Sequence, residues 1–288
     1  MPAPSAADVR LELLVTGSCT QVEALARRGG AWRAITFPAL VGVVHHPGAG
    51  TLLLDTGYTP RFHAATARFP ASLHARLTPV TCAPADTAAA QLAAAGVAAT
   101  DVRTVVLSHL HADHVAGVRD FPAARLVARR PALDLAVRAG ARGSLRHGVL
   151  PGLLPNDVAA RATAVEDLPA ARCPGWLAAL GPCHDVLGDG TVTAVALPGH
   201  QAGHLGLHVR TRGRDVLLVG DAAWSTRAIT HLELPHPAVR VLTHDWPAYR
   251  RTLLALHRLT RRHPDVLVVP THCADGIARA RAALAEAA

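Results

Sequence analysis

Apolar runs that end on metal-competent side chains recur along this chain, and their recurrence constrains the fold more than any other feature. Thr104-Val105-Val106-Leu107 leads into Ser108-His109-Leu110-His111-Ala112-Asp113-His114. Thr191 to Leu197 leads into Pro198-Gly199-His200, Asp215 to Val219 into Gly220-Asp221, and Val266 to Val269 into Pro270-Thr271-His272. Runs rich in β-branched residues and leucine, bounded by glycine or proline, predict strands. Strands that each release a His or Asp at their C-terminal end predict donors converging on one edge of a sheet pair. Imidazole and carboxylate suit zinc and similar divalent ions. A lone His200 or His272 reads first as a surface or hydrogen-bonded core residue; its place after a strand, in this order, turns the reading toward ligation. The dense 109–114 cluster would be costly to bury as mere packing.

Other elements follow the same punctuation. Val41 to His45, the turn Pro47-Gly48-Ala49-Gly50 and Thr51 to Leu54 predict a hairpin ending at Asp55-Thr56-Gly57. Asp55 reads equally as a turn stabiliser and as support for a metal ligand. Residues 85–95 predict a helix with Asp86 as cap and Gly96 as stop, 104–108 a strand, and Val115 to Val118 the start of a short helix. Leu205 to Arg210 predicts a further strand. A long helix is expected over 247–262, with Pro247 in its first turn and Leu253, Leu254, Leu256 and Leu259 near one face. The segment 118–190, with Gly143, Gly148, Pro151, Gly152, Pro155, Pro169, Pro174 and Pro182, reads as a loop-rich insertion. Leu150, Leu153, Leu154 and Trp176 are candidates to line a pocket or simply to pack it. Loops 143–185 and 231–237 are candidate lids.

Composition narrows the setting. All 29 basic residues of the 288 are arginine, and the formal net charge is +8. The arginines are scattered and aromatic residues are few, which argues against a stacking platform for nucleic acid. No apolar stretch approaches the roughly 18 residues that span a membrane, and Met1 to Asp8 does not read as a signal peptide. Five cysteines (Cys19, Cys82, Cys173, Cys183, Cys273) without CxxC spacing indicate neither a disulfide framework nor a zinc knuckle. A reducing cytoplasm fits best. Cys273, beside His272, reads as a buried inert thiol or as a neighbour of the site. The histidines outside the metal motifs and His204, among them His45, His46, His74, His147, His208 and His257, read as solvent-facing or structural.

His109-x-His111-x-Asp113-His114, then Pro198-Gly199-His200 in a PGHxxGH context, Gly220-Asp221 and His272, together with Leu52-Leu53-Leu54-Asp55-Thr56-Gly57, resemble the metallo-β-lactamase superfamily over about residues 35–275. The resemblance implies an α/β (α+β) fold: a four-layer αββα sandwich of two mixed sheets flanked by helices, here one domain over 1–288 with two pseudo-equivalent halves. It also implies a binuclear centre in which His109, His111 and His200 hold one ion, Asp113, His114 and His272 the other, and Asp221 bridges. His204 would support a ligand rather than bind metal. Two such cations can share and acidify a water for attack on a carbonyl.

Length and spacing resemble the lactonase-like branch that includes acyl-homoserine lactone hydrolases. The implied function is a zinc-dependent hydrolase of small-molecule esters or lactones, with iron or manganese as alternative metals. Asp113 and Asp221 are the catalytic carboxylates, and Asp113 would orient the nucleophile or accept its proton. The sequence departs from that branch at Trp224, where those lactonases carry a tyrosine three residues beyond the bridging Asp. Trp224 is either a carbonyl-polarising donor or a pocket wall. The expected partner is a small-molecule substrate, with no nucleic acid or membrane, and a homodimer is compatible with the sequence. A thioesterase of the glyoxalase II type is the runner-up; a nuclease, a di-iron redox protein and a silent metal-binding module stand behind it.

Overall fold

Apolar strands buried on both faces form two sheets whose facing sides make a shared core. The structure, a computed structural model, describes residues 9–138 and 147–286; Met1 to Asp8, Gly143 and the start of the 143–185 lid lie outside them. Its strands are β1 (Arg10–Val22), β2 (Ala34–His46), β3 (Gly50–Leu54), β4 (Val80–Thr81), β5 (Val102–Val106), β6 (Arg125–Ala128), β7 (Ala162–Ala164), β8 (Cys183–Asp185), β9 (Val192–Ala196), β10 (Leu205–Thr211), β11 (Arg214–Gly220) and β12 (Leu267–Pro270). The first sheet runs β4-β1-β2-β3-β5-β6-β7 and the second β12-β11-β10-β9-β8. Both are mixed: β3, β5, β6 and β7 are mutually parallel, as are β11 and β12, and the other pairings are antiparallel.

Leu11, Leu13, Val44, Leu52 and Val106 of the first sheet meet Val192, Leu207, Val216 and Leu218 of the second in one buried cluster. The outer face of the first sheet packs with Leu92 of the helix Ala88–Ala94 and with Phe62 and Val115. The outer face of the second packs with Leu253, Leu256 and Leu259 of the helix Trp246–Arg262. These layers give the expected sandwich, and burial of apolar surface across them holds it together.

Several local expectations are corrected. The strand expected over 104–108 is Val102–Val106, and the helix expected after the histidine cluster begins inside it, at Ala112–Val115. Thr87, not Asp86, caps the helix Ala88–Ala94 by accepting from the Ala90 N–H at 3.3 Å. Asp86 accepts from the Ala83 N–H at 2.8 Å instead, holding the turn before it. Part of 118–190 is sheet rather than loop: β6 and β7 extend the first sheet and β8 edges the second. Their strands are too short for alternation to reveal them.

Candidate metal centre

The metal-competent residues lie in the segments that follow β5, β9, β11 and β12. From β5 the chain passes through buried Leu107 and Ser108 to His109, and His111 immediately precedes the helix that carries Asp113 and His114. His111 is extended (φ −70°, ψ 158°), and Asp113 and His114 lie in the helix Ala112–Val115, so the chain changes direction within the cluster. Beyond β9, Gly199 turns with φ +134°, and a Cβ there would lie 2.2 Å from the Tyr249 nitrogen, so the turn that delivers His200 requires glycine. Asp221 follows β11 through Gly220, and His272 follows β12 through Thr271.

The donor atoms form two groups. His109, His111, His200 and Asp221 make one, Asp113, His114, Asp221 and His272 the other, and within each group the donors lie within 4.8 Å of one another. In the first, His111 Nδ1 is 3.0 Å from both His109 Nε2 and His200 Nε2, and His200 Nε2 is 3.3 Å from Asp221 Oδ2. In the second, Asp113 Oδ2 is 3.2 Å from His114 Nε2 and 3.3 Å from His272 Nε2. Asp221 Oδ1 is 3.4 Å from His114 Nε2 and 3.2 Å from His272 Nε2. Every donor position expected from the sequence is thus brought to one place, with Asp221 common to both groups.

This set fits a pair of divalent cations. With His111 Nδ1 at 3.0 Å from both His109 Nε2 and His200 Nε2, the three imidazole nitrogens cannot all be satisfied by one another's protons. His114 Nε2 and Asp221 Oδ1 are buried without a hydrogen bond, an arrangement that is costly unless a cation accepts their lone pairs.

The far sides of the rings are fixed. Asp55 accepts from the Ser108 N–H (2.8 Å) and hydroxyl (2.7 Å), and its Oδ2 lies 2.7 Å from His114 Nδ1. Ser108 Oγ is also 3.0 Å from His109 Nδ1, and His272 Nδ1 donates to the Pro38 carbonyl at 2.8 Å. These contacts turn Nε2 of all three rings inward. Asp55 therefore orients His114. His204 holds the Asp221 backbone: its Nδ1 donates to the Leu197 carbonyl at 3.0 Å and its Nε2 accepts from the Asp221 N–H at 3.0 Å. Both of its ring nitrogens are thus engaged.

Burial holds His109 and His200 well below the ordinary histidine range and brings His111 and His204 down to about 4. All four are therefore neutral near pH 7. Burial opposes charge on Asp113 and Asp221, yet neighbouring imidazoles, chiefly His114 and His272 respectively, outweigh it and hold both carboxyls well below their usual range. Against burial, the adjoining carboxylates, led by Asp113 for His114 and by Asp221 for His272, raise those two imidazoles well above 6.5. The carboxylates and imidazoles of the second group thus favour one another's charged forms.

Trp224 directs its indole N–H to Asp221 Oδ2 at 3.3 Å and stands edge-on to Phe37 (6.0 Å) and His200 (6.2 Å). Phe37 in turn stacks on His272, with ring centres 4.9 Å apart. Phe37 and Gln201 carry no local sequence signal of a place in the site, whereas Ser108, inside the cluster, does. Leu150, Leu153 and Leu154 belong to the buried core cluster that also holds Tyr58 and Phe62. Trp176 packs in the outer core of the second sheet, edge-on to His208 at 5.2 Å. Segment 231–237 is tied to the β1–β2 connection, where Arg28 donates to the Leu234 carbonyl and His236 to that of Leu25. Cys273 Sγ accepts from the Thr226 and Gly276 N–H groups at 3.3 Å, a structural engagement.

A model described as the Metallo-beta-lactamase superfamily matches residues 35–272. The N-acyl homoserine lactonase AiiB of Rhizobium rhizogenes is 30% identical over 237 residues, covering 77% of this chain and 74% of the relative. A probable metallo-hydrolase of Mycobacterium tuberculosis is 30% identical over 204 residues, covering 66% of this chain and 61% of that protein's length. Among solved structures, an N-acyl homoserine lactone hydrolase with N-hexanoyl-L-homoserine at its catalytic metal centre superposes with a TM-score of 0.72. Identity there is 16%, and the match covers 92% of this chain and 94% of that one. The dizinc quorum-quenching lactonase AidC superposes at 0.64, with 14% identity and coverage of 94% and 90%. At these identities the structural likeness establishes the fold.

Proposed function

The chain belongs to the metallo-beta-lactamase superfamily, and on that premise we propose that it is a metal-dependent hydrolase that opens small-molecule lactones or related esters. The observation that carries the reading is the pair of donor groups sharing Asp221. The relatives named N-acyl homoserine lactonase support a lactone over a thioester or phosphodiester. His109, His111 and His200 would hold one zinc ion, Asp113, His114 and His272 a second, and Asp221 both. Two such ions supply an acidified water and polarisation of the scissile carbonyl.

The chain's own residues supply orientation and shape. Asp113, with Oδ2 facing His114 and His272, is the carboxylate placed to orient the attacking group and take its proton. Trp224 has its N–H committed to Asp221, so it serves as a wall and holds the shared carboxylate rather than polarising the substrate. Phe37 continues that wall beside His272 and offers an apolar surface to the acyl part of the substrate. The proposal extends to a cytoplasmic location and to one domain spanning the chain.

A panel of a lactone, a thioester and a phosphodiester, assayed on one zinc-loaded preparation, tests this reading. Turnover of the lactone in preference to the others, abolished in His111→Ala and Asp221→Ala, is the expected result. Undiminished turnover by those variants, or preference for the thioester or phosphodiester, overturns it.

A further inference from the structure

Gln201, directly after His200, is 3% exposed and spans two other parts of the site. Its Oε1 accepts from the Leu110 N–H at 2.7 Å, and Leu110 lies between His109 and His111. Its Nε2 donates to the His147 carbonyl at 2.9 Å. The amide's orientation is fixed by chemistry, because a backbone N–H can only donate and a carbonyl only accept. The next residue, Gly148, has φ +71° and packs so closely on the His111 ring that a Cβ there would lie 2.7 Å from His111 Nε2. One side chain therefore ties the His200 turn to the turn bearing His109 and His111, and ties both to the segment resting on His111. An apolar residue of equal size would leave two backbone groups without partners.

We propose that Gln201 is a positioning residue that seats the 147–150 segment against His111 and thereby sets the grip of the site on its substrate. The kinetic part of this inference rests on the lactone-hydrolase reading; the structural part does not. Gln201→Met keeps the bulk and removes both hydrogen bonds. Gln201→Glu, studied at pH 8, keeps the acceptor for Leu110 and loses the donor for His147.

The test combines amide hydrogen exchange, metal content and steady-state kinetics on the zinc-loaded protein. In Gln201→Met, exchange at 148–150 accelerates, two metal equivalents remain, and KM for the lactone rises at least about tenfold while kcat changes less than about threefold. In Gln201→Glu, exchange accelerates at 148–150 while the Leu110 amide stays protected, a result that also decides the question where the Met variant fails to fold. Unchanged exchange at 148–150 in both variants, or an unchanged KM, overturns the proposal. If the unsubstituted protein opens no lactone, the proposed function falls, while exchange and metal content still decide the role of Gln201.

Discussion

Asp55 shows how much a single side chain carries: it holds Ser108 through two bonds and faces His114 Nδ1 at 2.7 Å. Asn at this position keeps the shape but loses the charge that orients His114. Asp55→Asn is expected to weaken zinc binding by about 10–100-fold, as read by competition with a chromogenic chelator. Trp224→Phe keeps the wall and loses the N–H to Asp221, so kcat/KM is expected to fall by less than about tenfold, near the worth of one hydrogen bond; a loss of several hundredfold would assign Trp224 a direct part in the chemistry. His111 and His204, brought to about 4 by burial, stay neutral where the unfolded chain takes up protons near 6.5. Their contribution to stability is complete above pH 6.5 and is lost as pH falls toward 4. His114 and His272, raised by carboxylates, contribute in the opposite sense: present below 6.5 and lost as pH rises through their elevated folded-state values. Thermal midpoints of the metal-free protein should therefore decline on acidification from pH 6.5 to 4, and a flat profile would contradict the burial of neutral rings.

Among the elements, the turns after strands are the critical parts. Gly199→Ala would press a Cβ onto the Tyr249 backbone at φ +134°, a conformation that costs about 1–3 kcal/mol for a residue with a side chain before any clash is added. A lowered urea midpoint together with loss of metal from the His200 group is expected; an unperturbed variant would show that the turn can relax. These turns are legible in the sequence because β-branched runs, glycine and a His or Asp stand in immediate succession. Legibility fails where contacts join distant elements. Phe37 stacks on His272 across more than 200 positions, and nothing around it in β2 distinguishes it from a core residue. Gln201 reads as an ordinary loop polar residue until Leu110 and His147 are placed beside it. The short strands β6, β7 and β8 look like loop because three or four residues carry too little periodicity. Leu150, Leu153 and Leu154 stay open between pocket lining and packing for the same reason: an apolar loop residue gives no sign of which side it faces.

For the molecule as a whole, the first sheet supplies His109, His111, Asp113 and His114 and the second supplies His200, Asp221 and His272, so bound ions would tie the two sheets together. Metal that binds only the folded chain stabilises it by about 4 kcal/mol when free metal is a thousand times its Kd, and a chelator should lower the thermal midpoint accordingly. The decisive measurement is lactone turnover as zinc is returned to chelator-stripped protein. The account predicts negligible turnover without metal and a rise that levels off at two equivalents per chain. Full turnover in the stripped protein, or no turnover at two bound equivalents, would contradict it.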